Sequence, residues 1–300
     1  MKKIVAAAIA AIVAITACLF VCSTPPSCTD SETPRHPQET TIPSVPKKAD
    51  LCGEEMPLGR QDILECLDRE IITNTFLHSN TLLIIKRSGR IFPAIEPILR
   101  ECGVPDDMKY LCVAESNLVA TAKSPAGAVG LWQFMEATAK EYGLRVNDEI
   151  DERMDIVKST RAACKKLKSD YARLGSWTLV AAAYNGGLAR VKKVMELQHQ
   201  TSYYDLNWAE ETRRYVFRIV ALKAIVDAPQ DFGFDIGDDD KYEPYETETV
   251  GLPVPNDDIA QWAKDHGTTY RRLRELNPWL LKNQIRSTRD TLKVLIPKED

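Results

Sequence analysis

Apolar residues recur at helical spacing from about Leu51 to Phe232, and that pattern limits the chain to a mainly α domain there. Ile91, Phe92, Ile95, Ile98 and Leu99 share one helix face, and Gly103-Val104-Pro105 stops that helix. Ile156, Ala163, Leu167, Tyr171 and Leu174 make a second stripe, ended by Gly175. Tyr215, Ile219, Leu222 and Ile225 make a third. No convincing pair of alternating strands interrupts them.

The flanks differ in kind. Lys2 and Lys3 precede an apolar run from Ile4 to Val21, as in an export signal over residues 1–22. Ile15-Thr16-Ala17-Cys18 resembles a lipobox, which would place a lipid on Cys18; an uncleaved anchor helix is the other reading. Either one exports the rest of the chain to the periplasm and holds it at a membrane. Residues 23–50 are rich in Pro, Ser and Thr and read as a disordered tether. After a helical domain over 51–234, residues 235–246 turn acidic and read as a linker. The last segment, 247–300, has a short apolar entry, two helices and a β-rich exit at Leu292 to Ile296, so it is expected to be a small α+β module.

A net charge of -4 without any Lys/Arg block argues against nucleic acid, which needs a concentrated basic face. Eight cysteines occur without a CxxC pair or a Cys/His cluster, so a zinc site is not expected. Seven remain if Cys18 is lipidated, an odd number, and connectivity stays open.

Four blocks carry polar groups that a helical core does not need. Pro105 to Asn117 reads as a helix capped by Asp106 or Asp107. Met108, Leu111, Cys112 and Glu115 share one face, so Glu115 is the ionisable residue on an apolar stripe. Desolvation there would raise its pKa and keep a proton available, as a general acid requires. A glutamate at a solvated helix end has the same spacing. Next comes Ser124-Pro125-Ala126-Gly127-Ala128-Val129-Gly130-Leu131-Trp132-Gln133-Phe134-Met135, where two glycines suit a tight turn and Trp132 and Gln133 offer an aromatic face and an amide. Trp132 also fits a core position. Trp177 to Tyr184 reads as a helix capped by Ser176 and ended by Asn185-Gly186. Glu211-Thr212-Arg213-Arg214-Tyr215-Val216 opens the last long helix, where Glu211 suits the dipole and Tyr215 the buried stripe.

In this order the four blocks resemble the lytic transglycosylase domain of glycoside hydrolase family 23, over roughly residues 75 to 230. The Gly-Leu-Trp-Gln-Phe-Met form looks like its membrane-bound murein transglycosylase D subgroup. The resemblance implies a lysozyme-like all-helical fold and a monomer acting on peptidoglycan glycan strands. It implies Glu115 as the catalytic acid/base, with Ser124 and Tyr184 orienting Glu115 and the sugar. Gln133, Met135 and Asn185 would line subsites. Gly127, Gly130 and Trp132 would shape the cleft wall, and Glu211 and Tyr215 would lie near its floor or act structurally. Only one carboxylate falls in the matched blocks, which fits a reaction whose nucleophile is the muramoyl C6 hydroxyl, and the resemblance implies that no metal or cofactor is used. A goose-type lysozyme, which hydrolyses, shares the fold; an inactive wall-binding protein is the other alternative.

Asp258-Ile259-Ala260, Gly267-Thr268-Thr269, Leu276-Asn277-Pro278 and Leu295-Ile296-Pro297 resemble a LysM module, a βααβ unit that binds N-acetylglucosamine chains. Pro255-Asn256-Asp257-Asp258 replaces the usual Gly-Asp-Thr-Leu opening, so a structural cap is nearly as good a reading as glycan binding. Trp262 and Trp279 could be sugar platforms, although helix packing is the commoner use of such residues.

Overall fold

The computed structural model describes residues 42–288 and 290–298, so the export signal, Cys18 and most of the Pro-rich segment lie outside the described residues. The first element among the described residues is a hairpin of two two-residue strands, β1 (Asp50–Leu51) and β2 (Glu54–Glu55). Helices follow: α1 (Gln61–Phe76), α2 (His78–Cys102), α3 (Met108–Ser116), α4 (Glu136–Glu141), α5 (Ile156–Leu174), α6 (Trp177–Gly186), α7 (Leu188–Gln198) and α8 (Glu210–Asp227). The mainly α expectation holds. The hairpin is an addition, because strands of two residues leave no periodicity to read.

The stripes do what their spacing predicts, with one exception. Ile91, Ile95, Ile98 and Leu99 of α2 are buried, as are Ala163 and Leu167 of α5 and Tyr215, Ile219, Leu222 and Ile225 of α8. Tyr171 instead stands at the surface and stacks on Trp177 with ring centroids 4.2 Å apart. Gly103 and Gly175 end α2 and α5 in the left-handed region, and the Ser176 side chain caps α6. α6 runs on through Asn185 and Gly186, so the residue with positive φ is Gly187, one position later than expected.

Packing places α3 against α2 and α8, while α6 lies among α5, α7 and α8. Ala181, Ala182 and Ala183 are fully buried, which allows the close approach of α6. The hairpin fixes both helices that matter for the site. Its Glu54 carboxylate accepts the Trp177 and Thr178 N–H groups at the start of α6. Asp107, expected to cap α3, makes no such bond; its carboxylate accepts the Cys52 N–H at 2.7 Å and pairs with Lys223 of α8 at 2.7 Å. Buried Glu70 of α1 accepts Arg214 Nε at 2.6 Å and lies 3.7 Å from Arg218 Nε, which ties α1 to α8 and fixes the Arg218 side chain.

The acidic segment expected to be a linker lies along α2. The Tyr242 N–H donates to Lys86 O at 2.8 Å, Arg90 Nε donates to Glu243 O at 2.8 Å, and the Arg90 guanidinium sits 4.0 Å from the Tyr245 ring centroid. Gly89 is required beneath it, since a Cβ there would meet the Lys241 side chain at 2.7 Å.

The C-terminal module is β3 (Thr247–Leu252), α9 (Ile259–Asp265), α10 (Tyr270–Leu276) and β4 (Leu292–Pro297). β3 and β4 pair antiparallel from Thr247↔Pro297 to Leu252↔Leu292, the expected βααβ order. Trp262 and Trp279 are both buried, so neither is a sugar platform. Among the described residues no helix is long and apolar enough to cross a membrane.

Candidate active site

Glu115 sits in the last turn of α3, half-buried, above the buried Met108, Leu111 and Cys112 of its own face. Burial is the largest influence on its carboxyl and pushes the pKa up from 4.5 to about 7. Two influences oppose burial: the Tyr215 hydroxyl donates to Glu115 Oε1, and the Arg218 charge lies nearby. The Glu211 charge adds to the rise. Glu211 itself is exposed and pairs with Arg218 at 3.0 Å, so its part in the site is electrostatic and indirect.

Immediately beyond Glu115 the backbone is strained. Asn117 and Leu118 have φ of 51° and 58°, and across the site Gln133 has 48°. Three of the five non-glycine residues with positive φ among the described residues therefore cluster here, where packing must over-determine an unfavourable conformation. Arg87 Nη1 donates to Asn117 O at 3.2 Å, and Asn117 Nδ2 donates to Asn80 Oδ1 at 3.1 Å, which pins the turn.

The second block forms a compact loop facing α3. Ser124 closes its first turn: its Oγ accepts the Ala128 N–H at 3.0 Å. Ser124 therefore shapes this loop, and no bond to Glu115 is made among the described residues. Val129 and Phe134 exchange backbone bonds, with Gly130 to Gln133 as the turn between them. Trp132 is fully buried and donates Nε1–H to Thr160 Oγ1 at 2.9 Å, so it is a core anchor of the wall and offers no stacking face. Gln133 donates its amide to Gly130 O at 2.8 Å and to Ala122 O at 3.2 Å. Met135 leaves the loop exposed, an apolar side chain available at the surface. Gly127 is exposed with φ of 89°, whereas Gly130 is buried with φ of 87° and packs on the Arg153 backbone.

Tyr184 corrects an expectation. Its hydroxyl donates to Trp132 O at 2.7 Å and so ties α6 to the loop; the phenol that reaches Glu115 is Tyr215. Burial pushes both phenols well above their usual range, and the Glu115 charge adds to both, so each stays protonated and acts as a donor. Asn185 accepts from Thr212 Oγ1 at 2.9 Å, which orients its amide at the junction of α6 and α8. Sequence reasoning placed Tyr215 near the cleft floor or in a structural role and gave its hydroxyl no part beside Glu115, because helical spacing already explained the residue. It missed Arg218, one turn beyond Tyr215, and the buried pair Asp151 and Arg153. Among the described residues no cluster of His, Cys, Asp and Glu is arranged to hold a metal, and Cys52, Cys66, Cys102, Cys112 and Cys164 are free thiols.

The geometry is that of a proton donor and acceptor near neutrality, gripped by one phenol in a wall of fixed backbone. Comparison with known proteins shows what the chain is similar to. The chain is similar to the membrane-bound lytic murein transglycosylase D of Escherichia coli, 26% identical over 255 residues that cover 82% of this chain and 55% of that protein. It thus spans about half the length of that curated relative. It is also similar to the peptidoglycan transglycosylase gp16 of Escherichia phage T7, 40% identical over 88 residues that cover 29% of this chain and 7% of that protein. Among solved structures, an inactive mutant of the lytic transglycosylase Slt from Pseudomonas aeruginosa aligns with a TM-score of 0.39 and 19% identity, over 51% of this chain and 26% of that one. Two family models match the chain: the transglycosylase SLT domain over residues 95–207, and the soluble lytic transglycosylase C-terminal LysM-like domain over residues 248–300.

Proposed function

We propose that this protein is a peptidoglycan lytic transglycosylase in which Glu115 serves as both acid and base. The observation that carries the reading is the Glu115 carboxyl, held at about 7 by burial while one phenol and one guanidinium stabilise its charged form. A group so poised can give a proton and take one back at neutral pH. The protonated carboxyl donates to the oxygen joining N-acetylmuramic acid to N-acetylglucosamine, and the C1–O bond breaks. The muramoyl N-acetyl oxygen stabilises the cation at C1. The carboxylate then removes the C6 hydroxyl proton, O6 bonds to C1, and a 1,6-anhydromuramoyl end forms with no water consumed. Glycosidases that hydrolyse normally use a second carboxylate to activate water or attack C1. Glu211 is a poor candidate for that role, because it is turned to Arg218.

Mass spectrometry of digested peptidoglycan tests the reading. Anhydro ends are the expected product; reducing ends heavier by one water would identify a hydrolase instead, and no cleavage would leave a wall-binding protein.

Two further outcomes are expected. In Tyr215→Phe the bond that favours ionised Glu115 is lost, so the alkaline limb of the kcat/KM profile should move upward from about 7. kcat should fall on the order of tenfold to a hundredfold. Tyr184→Phe loses the bond to Trp132 O and should leave that limb in place. Equal pH profiles for the two variants would contradict this assignment.

The protein is further proposed to work in the cell envelope, anchored by a lipid on Cys18 and joined to the folded part by the Pro-rich tether. Cys18→Ser should block processing and abolish incorporation of labelled fatty acid, leaving a chain that keeps the apolar run before Cys18. A mature N-terminus other than Cys18 would rule the lipid out.

A further inference from the structure

The C-terminal module is seated on the segment that backs the glycine loop. The Asp151 N–H donates to Trp279 O at 2.9 Å, and the Leu281 N–H donates to Glu149 O at 2.8 Å, on either side of a bridge between Ile150 and Leu280. The Glu149 carboxylate accepts the Arg286 and Ser287 N–H groups at 2.9 and 2.8 Å. Val129, Ile150 and Met154 are buried in the same apolar cluster as Leu252, Trp262 and Leu292 of the module. Val129 belongs to the glycine loop itself, so the module's core and the loop are continuous.

From that seam one side chain reaches the loop. Asp151 and Arg153 are 5% and 7% exposed, and they face each other in two bonds, Nε to Oδ1 at 2.8 Å and Nη2 to Oδ2 at 2.7 Å. The remaining nitrogen, Nη1, donates to Gly127 O at 3.1 Å and to Phe134 O at 3.2 Å, one on each arm of the loop. The planar guanidinium suits this work, because its nitrogens are fixed relative to one another. On its far side the loop meets the catalytic helix, where Cys112 Sγ donates to Leu131 O at 3.6 Å.

We propose that the C-terminal module is a fixed brace for the active site: it holds residues 149–154, and Arg153 is the positioning residue that sets the Gly127–Phe134 loop against Glu115. The inference rests on the transglycosylase reading above. Of the two readings of the module, glycan binder and structural cap, it takes up the second and gives it a mechanical part. Misplacing a cleft wall by about 1 Å can cost about a hundredfold in rate. The loss should appear in kcat, because the wall orients the sugar at the moment of reaction.

The test uses the full chain and two substrates, a soluble peptidoglycan tetrasaccharide too short to reach the module and intact sacculi. Wild type is first checked for anhydro products; their absence would defeat the functional reading and not the brace. In Arg153→Ala, kcat on the tetrasaccharide should fall about tenfold or more with KM within about twofold, and Arg153→Lys should recover part of it. Asp151→Leu/Arg153→Leu removes both charges together and carries the test if a lone buried Asp151 prevents folding. Glu149→Ala, at the seam and remote from Glu115, should lower kcat on the tetrasaccharide by about threefold to tenfold. The brace is overturned if Glu149→Ala and the folded Arg153 variants keep wild-type kcat on the tetrasaccharide. It is equally overturned if their only defect is a raised KM on sacculi, which is the behaviour of an independent binding module.

Discussion

Glu115→Gln should abolish glycan cleavage while the protein stays folded, and it should make the protein more stable above neutral pH. The amide can neither donate nor recover a proton, and here one group does both, so a loss of about a thousandfold or more is expected. The stability effect has a definite sign. Folding raises the Glu115 pKa from 4.5 to about 7, so the folded state binds this proton more tightly than the unfolded chain. Stability from this site is complete below about 4.5 and is lost as pH rises through about 7. The wild-type protein therefore carries, at pH 8, a penalty of at most about 3 kcal/mol that the amide lacks. The Glu115→Gln variant should melt several degrees higher than wild type at pH 8 and at nearly the same temperature at pH 4. Turnover above a tenth of wild type would remove Glu115 from the acid/base role. A melting difference that grows toward acid pH would contradict the burial argument.

What the sequence revealed of this arrangement depended on range. Helices with long apolar stripes were legible, because periodicity is a local signal: α2, α5 and α8 lie where their spacing puts them. Glu115 was less so: its register with Met108, Leu111 and Cys112 fits a solvated helix end equally well, and only the resemblance singled it out. The partners of Glu115 were not legible. Tyr215 lies 100 residues away on a helix whose own periodicity accounts for it, so nothing local marks its hydroxyl as the donor. The resemblance favoured Tyr184, which is close to the same carboxyl but bonded elsewhere.

The seam between the helical domain and the C-terminal module was hidden for a related reason. Acidic, Pro-containing sequence such as 235–246 has the composition of a linker, and its backbone bonds to Lys86 and Arg90 leave no pattern in sequence. Asp151 and Arg153 lie two residues apart outside the four blocks, and nothing local marks them as a pair. Only the fold buries them together and aims the guanidinium at two carbonyls. Trp262 and Trp279 show the converse: an aromatic that could stack on sugar is taken up by the module's core and its seam.

Two glycines of the same loop allow a sharp test of how tightly the wall is held. Gly127 and Gly130 have φ of 89° and 87°, so alanine at either pays about 1–2 kcal/mol for a conformation that L-residues avoid. Their surroundings differ. A Cβ on Gly127 meets nothing within 4 Å, whereas a Cβ on Gly130 would lie 1.8 Å from Arg153 O and 2.6 Å from its carbonyl carbon. That neighbour is backbone and cannot swing aside. It is held by the Asp151 pair, by the bond to Trp279 O and by the module behind it. Relief must therefore come from the loop, which would have to withdraw by more than about 1 Å and break the Val129–Phe134 pairing, at a cost above about 4 kcal/mol. Gly127→Ala should lose about 1–2 kcal/mol and keep most of its activity. Gly130→Ala should be destabilised by more than twice as much and retain less than about one hundredth of wild-type kcat. Paired denaturation and turnover measurements on the two variants decide the matter. Similar stability and activity for both would mean that the contact between Gly130 and Arg153 does not hold the wall in place.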